Sequence, residues 1–302
     1  MKPDEMKIIQ IPEISAIYYG LLQSGYDFCS IERSSEHVNA LMEFGGKGTI
    51  NSFFSGTKQQ TCEVYPYWPR AFILEAATFF LNECHTAYRD MEGLQRRILS
   101  AGNITDRERD SSLWEWLEGF PEALRCVLAD DGFSGYMEWE KKWIARQNDA
   151  CREDLNMIRR CLATCTGQYD SPVKEIRICI NPIKCVYSSD YHLDGDRFVF
   201  TSGAFQAGSV IHEFLHHVVH PVVETQRTQI LAIRPENEQI DESYYQDGRE
   251  SGILNAFEET TVRSLTEDIM RDEYPEDLLI YIKTILDRNT KRKRTEGKDN
   301  GF

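Results

Sequence analysis

Residues 197–221 read RFVFTSGAFQAGSVIHEFLHHVVHP, and the change of pattern inside them decides the fold class. In RFVFTS, Phe198 and Phe200 stand two apart, the period of a strand with one buried face. From about Ala207 the period lengthens. Val210–Ile211, Phe214–Leu215 and Val218–Val219 recur as adjacent pairs four apart, an apolar stripe along a helix. Pro221 is predicted to close that helix, because proline has no N–H to continue the ladder. Residues i and i+4 share one helix face, so His212 and His216 can both present an imidazole nitrogen to one metal ion. Zinc accepts neutral imidazole readily, and one zinc per chain is expected. Glu213, one position on, stands close enough to act on a water at the ion without binding it.

Upstream, VKEIRICI places Ile176, Ile178 and Ile180 on one face and Glu175, Arg177 and Cys179 on the other, a strand that Asn181-Pro182 breaks. KCVYSS, from Lys184, is read as a second short strand, and Asp194-Gly195 as the turn before RFVFTS. The first half is mainly helical. Apolar spacing predicts helix from about 69 to 99, and Asp110, Ser111 or Ser112 could cap SLWEWLEGF. A further helical stretch runs from about Ser134 to Thr164. Trp114, Trp116, Trp139 and Trp143 fall at helical spacing and are expected to pack.

Downstream, the acidic stretch from Glu224 to Ser251 reads as a long loop or irregular elements. Helical pattern returns from Ile253 to about Met270 and from Leu278 to Leu286. The expectation is an α+β protein. It has a mainly helical region at 1–168 and a region at 169–288 with a small antiparallel sheet, the HEFLH helix and a downstream glutamate helix. A polar basic tail follows at 289–302.

A formal charge of −15 disfavours nucleic acid or an anionic membrane as partner. The one basic run, Lys291 to Arg294, is read as part of a solvated end. No apolar run reaches the length of a membrane span, and the acidic N-terminal residues Asp4, Glu5 and Glu13 do not suit a cleaved secretory signal. The nine cysteines (29, 62, 84, 126, 151, 161, 165, 179 and 185) are odd in number, and no pair shows two-residue spacing. Free, mostly buried thiols and a cytoplasmic location are the expectation.

On the HEFLH helix and the segments around it, residues 173–270 resemble the zincin metallopeptidases. The metzincin type would need glycine at 219 and histidine at 222, where this chain has Val219 and Val222. The gluzincin type takes its third ligand from a second helix. In LNAFEETTVRSLTED, Glu259 aligns best with that ligand, and Glu258 stands where asparagine is usual. Read by themselves, Leu254, Phe257, Leu265 and Ile269 define an apolar face with Glu258 nearer its middle, so Glu258 stays open as the ligand. The resemblance implies hydrolysis of a peptide or protein substrate that pairs along RFVFTS, with zinc on His212, His216 and Glu259 and Glu213 as general base.

Tyr244, Tyr245, His220 and Arg263 are candidates for stabilising the developing oxyanion, although a loop tyrosine or a salt-bridged arginine is the plainer reading. His217 is expected to face away from the metal. Cys84-His85 is read as a core cysteine beside an unrelated histidine, and the GGKG at Gly45–Gly48 as a turn. The acidic stretch could draw basic substrates, against a plain solvated surface. Two other classes compete with the hydrolase. One is a non-catalytic zincin scaffold used for regulation or protein binding. The other is a structural metal site closed by His220 or Glu224.

Overall fold

The computed structural model describes residues 6–26, 28, 32–45, 52–55, 71–99, 111–233 and 250–299. Among them lie twelve helices longer than four residues and three strands. The helices are α1 (Pro12–Gln23), α2 (Ser35–Phe44), α3 (Phe72–Thr78), α4 (Met91–Leu99), α5 (Ser111–Glu118), α6 (Phe120–Leu128), α7 (Asp131–Ala150), α8 (Arg152–Gln168), α9 (Ala207–Thr225), α10 (Arg227–Ile233), α11 (Glu250–Met270) and α12 (Leu278–Asp299). The strands are β1 (Glu175–Ile180), β2 (Ser189–Asp194) and β3 (Arg197–Ser202). The class is α+β. No helix of the described residues is long and apolar enough to cross a membrane.

The chain forms two compact units, one of Lys2–Asn156 with Lys174–Gln206 and one of Met157–Val173 with Ala207–Phe302. The three strands fall in the first of these units and the HEFLH helix in the second.

In the sheet unit, α1 is buried from Ile14 to Gln23, on every side of the helix, and packs against α3, α6 and α7. Ile14, Ile17 and Leu21 join Leu74, Phe120, Leu124 and Tyr136 in one core. Each such aliphatic side chain contributes about 1.5–3 kcal/mol. The helix expected over 69–99 is interrupted. After α3, Asn82 accepts the Thr86 N–H at 2.9 Å, His85 takes φ +52°, and the Arg89 N–H returns to the Phe80 carbonyl at 2.7 Å. An asparagine that satisfies its neighbours' backbone in a turn competes with the helix. Cys84, expected in the core, is exposed on this turn. The stretch expected over 134–164 is likewise two helices, parted at Cys151.

The sheet has the order β1-β3-β2, with β1 parallel and β2 antiparallel to β3. It is thus mixed, not antiparallel. β2 and β3 form a hairpin across Gly195, whose φ of +64° suits glycine, and β1 takes the other edge of β3. β3 is the central strand with both ladders filled, which overturns the expectation that a substrate peptide pairs along RFVFTS.

The second strand is SDYHLD, not KCVYSS. Asn181 Oδ1 accepts the N–H groups of Ile183 at 2.9 Å and Lys184 at 3.1 Å, which folds the start of that stretch into a turn. The inward residues of β2 are polar, Asp190 and His192; Asp190 meets a fully buried Lys184, and His192 meets the buried Glu75. Lys184 Nζ donates to Glu75 Oε1 and Asp190 Oδ2, both at 2.8 Å, and to Thr201 Oγ1 at 3.0 Å. Glu75, itself fully buried, also accepts from Tyr18, from Thr201 at 2.6 Å and from His192 Nε2 at 2.9 Å. Burial alone would strip the charge from Lys184, but Asp190 and Glu75 hold its amine well above the ordinary range.

The second unit is helical. α9 buries Val210, Ile211, Phe214, Leu215, Val218, Val219 and Val223, the stripe read from the sequence, and packs against α11. α11 answers with Leu254, Phe257, Val262, Leu265 and Ile269. Pro221 does not end α9. It lies inside the helix, which runs on to Thr225 with the His217 carbonyl deprived of its usual donor. α10 occupies the start of the stretch expected to be irregular, and residues 234–249 lie outside the described ones. α12 continues through Lys291–Arg294 to Asp299, so the backbone is helical where a tail was expected.

Candidate metal centre

Two helices of the helical unit supply every group at this centre. On α9, the four-residue spacing brings His212 and His216 together with ring centroids 4.8 Å apart and Nε2 atoms 3.1 Å apart. From α11, Glu259 Oε2 reaches His216 Nε2 at 3.2 Å and His212 Nε2 at 3.5 Å. The three atoms form a nearly equilateral triangle. Donors bound tetrahedrally at about 2.0–2.1 Å from zinc stand about 3.3–3.4 Å apart, so the triangle has the size that one such ion requires. His212, His216 and Glu259 form the one such group of candidate metal ligands among the described residues.

The chemistry of the donor set agrees. His216 Nδ1 lies 2.8 Å from Glu258 Oε1, so a neutral His216 carries its hydrogen there and turns a bare lone pair on Nε2 towards His212 and Glu259. Lone pairs at this separation repel unless a cation lies among them. Burial opposes charge on His216, yet Glu258 and Glu259 lift its pKa to about 10. Burial also opposes charge on Glu259, and His212 and His216 outweigh it, holding the carboxyl well below the ordinary range. The side chains of His212, His216 and Glu259 are 20%, 17% and 28% exposed, so none of the three is sealed from solvent.

No family model, curated protein or solved structure matches this chain. The site therefore stands on its own geometry.

Of the two glutamates left open by the sequence, Glu259 joins the triangle and Glu258 does not. Glu258 is buried and spans two imidazoles, His216 Nδ1 on Oε1 and His220 Nδ1 on Oε2, each at 2.8 Å. The sequence shows half of this, since a carboxylate in the middle of an apolar face must have a partner. The partner of Glu258 is an imidazole pair. The signal for the second imidazole is the spacing of His216 and His220, again four residues on one face.

Arg263 Nε donates to Glu259 Oε1 at 2.7 Å, one turn along α11, and so directs the other oxygen to the histidines. It is the salt-bridged arginine of the plainer reading. His217 faces Ser171, with Oγ and Nε2 3.1 Å apart, and burial lowers its pKa. Glu213 is half-buried on α9, and its negative charge is felt at His216. Closure of the sphere by His220 or Glu224 finds no support. The Nδ1 of His220 is committed to Glu258, and Glu224 is exposed beside Arg227 at 3.3 Å. Tyr244 and Tyr245 lie outside the described residues, as does most of the acidic stretch.

Proposed function

We propose that His212, His216 and Glu259 hold one zinc ion and that the protein is a zinc-dependent hydrolase, a metallopeptidase of the gluzincin kind. The observation that carries the reading is the triangle of two imidazole nitrogens and one carboxylate oxygen, separated by 3.1, 3.2 and 3.5 Å. Three protein donors rather than four are the pattern of catalytic rather than structural zinc. When bound, zinc supplies Lewis acidity that polarises a carbonyl and eases deprotonation of water.

Glu213 is the residue of this chain that moves the proton. It lies between the two histidine ligands in sequence and takes no part in the triangle. As general base it accepts a proton from the attacking water, and as the resulting acid it returns that proton to the leaving nitrogen. Arg263 and Glu258 do not touch the reacting atoms in this scheme; they hold Glu259 and His216 in place. The choice of an amide as substrate rests on the resemblance to zincins.

The test is elemental analysis of untagged protein purified without added metal, followed by hydrolysis of a peptide library. About one zinc per chain is expected, lost in His212→Ala. Glu213→Gln should keep the zinc and lose hydrolysis by roughly 10²–10⁴-fold. Protein that carries no zinc and takes none up would overturn the proposal. A Glu213→Gln protein with wild-type cellular effect would instead point to a scaffold role.

A further inference from the structure

We infer that Glu258 is a positioning residue for His216, held in turn by His220, and that this pair sets how tightly the centre holds a divalent cation. The inference rests on the metal reading above and adds to it two residues outside the triangle.

An imidazole can bind a cation through either nitrogen, and a neutral ring exchanges between two tautomers. The 2.8 Å contact of His216 Nδ1 with Glu258 Oε1 selects one of them, with hydrogen on Nδ1 and the lone pair on Nε2. It also fixes the ring's rotation, since turning the ring about its bond to Cβ breaks the contact. The selected Nε2 is the atom that faces His212 and Glu259 at 3.1 and 3.2 Å. A carboxylate on the far nitrogen also makes the ligating nitrogen a stronger base.

His220 does for Glu258 what Glu258 does for His216. Its Nδ1 holds Oε2 at 2.8 Å, so both oxygens of a buried carboxylate are committed to imidazole nitrogens. The two histidines sit one turn apart on α9, which lets one side chain from α11 bridge them. Adjacent glutamates on α11 thus divide the work, with Glu259 turned to the cation and Glu258 to the ring that binds it.

The experiment measures Zn2+ affinity of the full-length chain by competition with a chromophoric chelator, and the visible spectrum of the Co2+ form. Glu258→Gln should still bind one Zn2+, with Kd raised about 10–100-fold. Its Co2+ bands should keep their position and intensity, because the donor atoms are unchanged. Glu259→Gln should alter those bands. His220→Ala should weaken binding by a smaller factor than Glu258→Gln. His220→Asn should restore it, because its amide N–H can stand where Nδ1 donates.

An unchanged Kd in Glu258→Gln, with wild-type protein binding Zn2+ normally, overturns the positioning role and leaves the metal reading intact. Co2+ bands altered in Glu258→Gln as in Glu259→Gln would make Glu258 a ligand and overturn it as well. Wild-type protein that binds neither Zn2+ nor Co2+ overturns both. If the apo form of Glu258→Gln loses its helical circular dichroism, the His220 pair decides: equal Kd values for His220→Ala, His220→Asn and wild type would overturn the role.

Discussion

Replacing Lys184 with methionine should remove a large share of the stability of the sheet unit. Methionine fills similar space, so the perturbation is chiefly the loss of charge. Lys184 has no exposed surface and gives three hydrogen bonds, two of them to carboxylates at 2.8 Å. Without it, Glu75 and Asp190 are buried with no ammonium between them, and breaking such a pair from one side costs about 3–5 kcal/mol. Tyr18, Thr201 and His192 still hold Glu75, and Ser188 still holds Asp190 at 3.2 Å, which argues for the lower end of that range.

The assay is guanidinium denaturation followed by tryptophan fluorescence. All five tryptophans (68, 114, 116, 139 and 143) lie in Lys2–Asn156, so the signal reports on this unit. The pH dependence has a definite sign. Stripped of Lys184, Glu75 loses the ammonium that outweighs its burial and binds a proton more readily folded than unfolded, so the loss measured at pH 7 should shrink towards pH 5. A loss under about 1 kcal/mol, or one that grows as pH falls, would show that the cluster does not work as an ion pair.

Glu140 accepts from Gln10, Ser15, Tyr136 and Asn181 but meets no cation among the described residues, and burial pushes its pKa up to about 7. The folded state therefore holds this proton where the unfolded chain has lost it, and stability should fall as pH rises from about 4.5 through 7. Against Glu140→Gln, measured by the same fluorescence, wild type should lose about 1–3 kcal/mol over that interval; parallel pH curves would contradict this. Gly203→Ala should destabilise by more than about 2 kcal/mol, because a Cβ there would lie 2.0 Å from the Lys184 carbonyl oxygen and 2.4 Å from that of Cys185. An unshifted thermal midpoint in that variant would mean the 184–185 backbone gives way freely.

The HEFLH helix was legible because its apolar pairs and its histidines obey one period, so the same spacing that predicts burial predicts the shared face. The sheet was legible only in part. β1 and β3 turn isoleucine and phenylalanine inwards and declare themselves. β2 turns Asp190 and His192 inwards, and hydrophobic alternation fails wherever a buried cation outside the strand makes polar residues the right ones. The order β1-β3-β2 is a matter of long-range pairing, which period alone does not carry. At the candidate metal centre the two histidines follow from spacing. Dividing Glu258 from Glu259 needs the rotation of α11 against α9, a fraction of a turn that apolar positions define only loosely.

The Lys184 cluster also works as a register key. Asp190 is opposite Thr201 in the hairpin, and both meet the same ammonium. A slip of β2 by one residue would bring Ser189 or Tyr191 to that place and turn Asp190 to the other face. The misaligned hairpin would keep most of its backbone ladder, yet it would strand a buried cation without one of its two counter-charges, at a penalty of several kcal/mol. In a three-stranded sheet, where few side chains can distinguish one alignment from the next, a single lysine thereby proofreads the pairing.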